Sequence, residues 1–412
     1  METPGARQLW WIRHGRIGVP VECGQVGCTA IPPQGASIIL KFLSHVAVAF
    51  LLTLAALPAV SAASARQASP LRDYWPTEEW RTAPAELHGM DPDLLAWADQ
   101  RLQAETPLLS SIVVVRDGYI VFERNYNGFS PEQRLHTWSV SKSVTNIAVG
   151  LALQEGVLAR LDQTLGELIP DRIPAAADPR VWDVTIEQLL TMTAGWSWDS
   201  RINFARTAET DDLDLMLRRP MQCDPGTCFE YDSGCSNLLP FIIQELTGET
   251  MADYLQPRLF DPLGIEQPYW IVTEDGANRG GGGLHLTPRE MAKIGFLYLN
   301  EGRWDDQQII SPDWVERSTR MQSSGDSFLS GANIGHGPYG YQWWIAEVAG
   351  RPGFVAQGYG GQRIYVVPDL DLVVVTAFAG ADALAPELQQ HPESIIAEAI
   401  VPAAIAGEAS DG

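Results

Sequence analysis

Two apolar runs lie far apart in the chain and limit what it can become. "SIVVVRDGYIVFERNYNG" begins at Ser111 and turns at Asp117-Gly118. "QRIYVVPDLDLVVVTAF" begins at Gln362 and turns at Pro368 to Asp371. Each has two strand-like runs of β-branched and aromatic residues around a turn signal, the pattern of a hairpin. A lone hairpin is marginal in water, so the two are expected to pair in one antiparallel sheet. Everything between them is then an insertion. That insertion reads as helical, which predicts an α+β layout: an antiparallel sheet flanked by helices, with an inserted all-helical lobe.

The helices announce their ends. Ser141 to Glu155 is small and apolar on most faces and stops at Gly156. "TIEQLLTMTAG" opens with a capping signal from Thr185 to Gln188 and ends at Gly195. "NLLPFIIQELTG" ends at Gly248, and "TPREMAKIGFLYLNEG" places Pro288 at a start and Gly302 past an end. "PESIIAEAIVPAAI" is expected to form a last helix. "RGGGGLHLTP" lacks the Lys-Ser/Thr and the strand–helix context of a phosphate loop, and reads as a structural turn.

A 45% hydrophobic chain of 412 residues can bury a sizeable core. Its net charge of −23 argues against a nucleic-acid partner. The seven histidines show no metal-ligand spacing, so neither a metal nor a cofactor is expected. Residues 1–65 read as a leader. Within it, Lys41, the apolar run Val46 to Leu57, Pro58 and small residues form a secretory signal with cleavage near Ala62 or Ala65. The part upstream of Ile38 fits a start assigned too early. The protein is therefore expected to be exported (periplasmic or secreted), with membrane attachment only if that segment is not cleaved. N-terminal sequencing of the mature protein checks this. Residues 66–86 read as a lead-in segment, 87–405 as the main domain and 406–412 as a tail. Cys23 and Cys28 fall in the leader. Cys223 and Cys228 bracket the turn "DPGT" and either form a small disulfide or remain, with Cys235, as buried thiols.

"HTWSVSKSVTNIAVG" sets Ser139 three residues before Lys142 where an apolar helix begins. Residues at i and i+3 of a helix lie side by side, roughly 5–6 Å apart at Cβ. A serine hydroxyl needs a base to become a nucleophile, and a lysine becomes that base when burial and the helix dipole lower its pKa. Tyr231 and Ser233 stand ahead of another apolar helix, and Gly358-Tyr359-Gly360-Gly361 at the start of the Gln362 strand.

This ordered set resembles the serine β-lactamase and penicillin-binding-protein-like hydrolases, in particular the class C and esterase-like branch, and is similar to 6-aminohexanoate-dimer hydrolases. The likeness runs from Leu87 to Val401 and includes "GLALQEGVL", "LLTMTAGWSW", "LFDPLGI" and "YGYQWWI". It implies the β-lactamase/transpeptidase-like fold and a role for each matching residue. Ser139 is the acylated nucleophile, Lys142 helps to deprotonate it, and Tyr231 carries the proton to the leaving group and later activates water. A phenol has a pKa near 10, so Tyr231 would need a cation beside it to act as a base near pH 7, and Lys142 is the candidate. Ser233 would bond Lys142 or the substrate. Tyr359, Gly360 and Gly361 bring backbone close to the substrate, and the N–H groups of Ser139 and Gln362 would form an oxyanion hole.

The K-T-G element of β-lactam hydrolysers is missing, with Tyr359-Gly360-Gly361 in its place. Losing a fixed cation weakens binding of an anionic substrate. Arg363 would either restore that cation or, by strand alternation, point to solvent. Two of Trp138, Trp196, Trp198, Trp343 and Trp344 are expected to line an apolar pocket, the others to be core. No G-x-S-x-G or H-E-x-x-H occurs, which excludes a nucleophile elbow and a zincin helix. The expected activity is cleavage of a small ester or amide through an acyl-enzyme on Ser139. The alternatives are a weak β-lactamase or D-amino-acid peptidase and, from another class, a catalytically silent cell-wall or ligand binder on the same fold.

Overall fold

The computed structural model describes residues 72–197, 213–326, 336–379 and 391–408, and two short pieces of the leader. It divides into units Met1–Gln67 and Ala68–Gly412. In the first, Cys23–Gly24 pairs antiparallel with Gly27–Cys28. The signal segment lies outside the described residues, as does Trp198. Among the described residues no helix is long and apolar enough to cross a membrane.

The second unit is built on an eight-stranded antiparallel sheet. Its strands are β1 (Ser111–Arg116), β2 (Tyr119–Asn125), β3 (Ser323–Asp326), β4 (His336–Tyr339), β5 (Trp344–Val348), β6 (Arg351–Gln357), β7 (Arg363–Val367) and β8 (Leu372–Ala377). Their spatial order is β2-β1-β8-β7-β6-β5-β4-β3. The two chain ends do meet: Val113 pairs with Val375 and Val115 with Val373. Asp117 and Gly118 both take positive φ, 53° and 88°, as the tight hairpin turn requires. β7 and β8 are buried along their whole length, so they carry continuous apolar residues instead of alternation.

Helix α1 (Pro92–Glu105) precedes the sheet and joins the C-terminal helix through the Asp91 N–H, which donates to Ala403 O. The lobe inserted between β2 and β3 contains α2 (Ser141–Gln154) and α3 (Ser233–Thr247). α4 (Pro288–Leu299), opened by a Thr287/Glu290 capping box, lies on the sheet. A Cβ on its Gly295 would sit 2.7 Å from Ile364 and Val373, so only glycine permits this approach. The last helix is continuous from Glu393 to Glu408 with a π-helical stretch at Ile396–Ile400. The lead-in packs onto this body: Arg72 forms two bonds with Asp371, 2.5 and 2.7 Å, and Trp80 N–H donates to Arg289 O.

The structure departs from the sequence reading in one lobe helix and in half of the sheet. The helix begun by the Thr185/Gln188 capping box ends at Leu190, because Met192 turns into positive φ (60°) well before Gly195. The half-sheet β3–β6 gave no strand signal. "SSGD" and "HGPY" are rich in residues that disfavour strands, and "RPGFVAQ" opens with Pro and Gly near its start.

Candidate active site

Ser139 sits in a single 3-10 turn, Trp138–Val140, directly ahead of α2. Trp138 holds φ at +51°, a strained conformation for a bulky side chain. Its ring is wedged between His136 (4.1 Å) and Tyr359 (5.5 Å). The other serines of the motif support the backbone. Ser141 Oγ accepts the Leu284 N–H, and Ser143 Oγ donates to Gln342 O.

Lys142 is fully enclosed, and its Nζ reaches three oxygens: Ser139 Oγ (3.0 Å), Ser233 Oγ (2.9 Å) and Gly281 O (2.7 Å). Burial lowers its pKa from the usual 10.5 to about 7, against the upward pull of Asp232 and Cys235. A neutral amine has two N–H donors and one lone pair. Donation to Ser233 and Gly281 would leave the lone pair for the Ser139 hydroxyl proton.

Tyr231 bonds Ser139 and packs its ring 5.1 Å from Lys142 Nζ, between Trp344 (5.4 Å) and Tyr339 (6.1 Å). Burial pushes its pKa up to about 12, although the Ser139 bond and the charge of Arg363 both lower it. Desolvation outweighs both, so the resting group is a phenol, and the lowering charge comes from Arg363, not from Lys142, the candidate cation of the sequence reading. Between Tyr231 and Ser233, Asp232 caps α3 through the Gly234 N–H (2.7 Å) and pairs with buried Arg219 (2.8 Å).

The Gly358–Gly361 segment connects β6 to β7 and does not itself begin the strand. A Cβ on Gly358 would meet Thr137 O at 2.4 Å and Trp138 Cβ at 3.2 Å, so glycine brings this loop against the turn that carries Ser139. Gly360 and Gly361 take positive φ (78° and 105°), and Gly361 O accepts from Thr376 Oγ1. Gln362 is buried, its side chain donating to Phe378 O and accepting the Phe378 N–H. Arg363 serves neither reading offered for it. It is 1% exposed, donating to Gly358 O (2.6 Å), to Gln362 O (2.9 Å) and to Glu393 Oε1 (2.6 and 2.8 Å), and so braces the loop from behind. Trp138 and Trp344 border the site. Trp343 is core, packed on Tyr298 and Phe354, and Trp196 is buried against Arg219. Cys223 and Cys228 form a disulfide, and Cys235 stays a buried thiol.

The sequence reading missed three contributors. Gly281 presents the carbonyl under Lys142, and its own N–H donates to Asn237 Oδ1 (2.7 Å). Asp232 holds the Tyr231–Ser233 segment. His136 accepts the Gly283 N–H (2.9 Å) beside Trp138. The available signals were the glycine run, taken as a plain turn, and Asn237 inside an apolar helix.

Ser139, buried Lys142, Tyr231 and the glycine-rich connection thus come together beside the sheet, with a helical lobe inserted. The Beta-lactamase family model matches residues 97–392, and the chain belongs to that family of hydrolases. The chain is 27% identical to the 6-aminohexanoate-dimer hydrolase of Paenarthrobacter ureafaciens over 69% of this chain and 74% of that one. It is 27% identical to the lovastatin esterase of Penicillium rubens over 41% of this chain and 47% of that one. Among solved structures, a Bacillus anthracis protein assigned as a 6-aminohexanoate-dimer hydrolase superposes with a TM-score of 0.66 at 20% identity, covering 82% of this chain and 89% of that one. A penicillin-binding protein from Bacillus halodurans gives 0.55 at 18%, covering 74% and 99%. At these identities the two structures speak for the fold alone.

Proposed function

We propose that the protein cleaves a small ester or amide through an acyl-enzyme on Ser139. The observation that carries this reading is Lys142: a fully buried amine with a pKa near 7, 3.0 Å from the Ser139 hydroxyl. Lys142 takes the Ser139 proton as Oγ attacks the carbonyl. The Ser139 N–H and the N–H groups of the Gly358–Gln362 loop are the candidates for stabilising the oxyanion. The Tyr231 phenol gives its proton to the leaving group, which departs and leaves the acyl ester and a phenolate near the Lys142 ammonium. That phenolate takes a proton from water, the hydroxide attacks the acyl ester, and Ser139 regains its proton from Lys142. Ser233 orients the Lys142 amine in this scheme.

An esterase or amidase suits the site better than a β-lactamase, because the cation nearest the missing K-T-G element, Arg363, is committed to Glu393 and to loop carbonyls. The relatives named as hydrolases of an amide dimer and of an ester support the same class. Export, resting on the leader, is part of the proposal. Intact-protein mass spectrometry after fluorophosphonate treatment tests the nucleophile. One adduct that disappears in folded Ser139→Ala is expected. An adduct retained in that variant, or none on the folded wild type, overturns the assignment.

A further inference from the structure

A run of rings in contact, one pair stacked and the others tilted, leads from the protein surface to the turn that carries Ser139. Tyr269 is 62% exposed, and its ring lies 5.0 Å from that of His285. His285 stacks on His136, 5.0 Å apart and only 13° from parallel. His136 lies 4.1 Å from Trp138, and Trp138 5.5 Å from Tyr359. The four inner rings are each partly exposed, and Ser139 follows Trp138 in the chain. The arrangement is built by register: the two-residue strands Leu135–His136 and His285–Leu286 pair so that the histidines face each other.

The chemistry of the ladder is apolar. His136 spends Nε2 on the Gly283 N–H, and His285 spends Nδ1 on Gly283 O; the two imidazoles turn faces to each other, so their exposed parts include ring edges. Burial, the neighbouring His285 and the charge of Arg279 hold His136 down to about pKa 3, so its imidazole is neutral at working pH. The two cations flanking the nucleophile are committed elsewhere, Lys142 to three oxygens and Arg363 to Glu393. Partly exposed aromatic rings favour a flat π-system, met edge to face, over an aliphatic group of the same size.

We propose that this ladder is a subsite for a flat, uncharged aryl group of the substrate, which packs against the exposed parts of His136, His285 and Tyr269 while the reacting carbonyl sits at Ser139. The placement of the carbonyl rests on the hydrolase reading above; the ring-binding surface does not.

The test compares 2-naphthyl acetate with its saturated counterpart, decahydro-2-naphthyl acetate, which matches it in carbon skeleton and charge. Binding to Ser139→Ala protein is measured by titration calorimetry, so no turnover is needed. The aryl ester should bind about tenfold more tightly, ~1.4 kcal/mol. Adding His285→Ala, or Tyr269→Ala on the exposed rim, should bring the ratio to about twofold. Equal affinity for the two esters, or a preference that survives both substitutions, overturns the subsite. Turnover of 2-naphthyl acetate by the wild type is read separately. Preferential binding without turnover would sink the hydrolase reading and leave the subsite standing, whereas turnover without preference would sink the subsite alone.

Discussion

If Lys142 is the base that activates Ser139, its protonation should set the pH dependence of the free enzyme. Its pKa is about 7, because burial removes the ammonium from water. The neutral fraction is then about one-tenth at pH 6, about half at pH 7 and about nine-tenths at pH 8. Measured with an uncharged acetate ester, kcat/KM should rise roughly tenfold from pH 6 to 8 and then level off. Tyr231, held up to about 12, stays a proton donor throughout that range. A lysine at its ordinary pKa, about 10.4, would give a profile still climbing about tenfold per pH unit between 8 and 10. Such a climb, or a flat profile from 6 to 8, would refute this mechanism. The same shift enters stability. The folded pKa lies below the unfolded one, so between about 7 and 10.5 the unfolded chain binds more protons at this site. The Lys142 contribution to stability therefore rises with pH across that window and is constant above it. Thermal unfolding of Lys142→Met should lose that component.

Gly358→Ala places a methyl group against Thr137 O and should push the loop off the turn that carries Ser139. About a hundredfold loss of kcat is expected, with a fall in Tm from the backbone shift, read by steady-state kinetics and calorimetry. Asp232→Asn keeps an oxygen for the Gly234 N–H but strands buried Arg219, so a loss of about 3–5 kcal/mol is expected in urea unfolding. In the same variant the rising limb of the pH profile should move below 7, because Asp232 holds the Lys142 pKa up. Cys228→Ser opens the Cys223–Cys228 loop and should cost about 2 kcal/mol by loop-closure entropy. Thermal scans with and without reductant should then coincide for the variant and differ for the wild type.

Some parts of this protein are legible from local chemistry. The Asp117-Gly118 and Pro368–Asp371 turns, the capping boxes at Thr185 and Thr287, and the glycines at 248 and 302 each act on neighbours a few residues away. The strands "SSGD", "HGPY" and "RPGFVAQ" were illegible because pairing across the sheet, not propensity, makes them strands. Arg363 shows the same limit. Strand alternation assigns it a face, but only the last helix, bringing Glu393, shows that it braces the loop.

The sequence by itself determined that a hairpin stands on each side of a helical insertion, and that Ser139 and Lys142 lie side by side, because both follow from short-range periodicity. The tertiary structure decided the chemical state of the site. How far a pKa moves depends on burial and on distant partners: Gly281 and Ser233 beneath Lys142, desolvation around Tyr231, and Arg219 paired with Asp232. Those groups come from separate parts of the chain, and no local pattern encodes the water that their packing excludes.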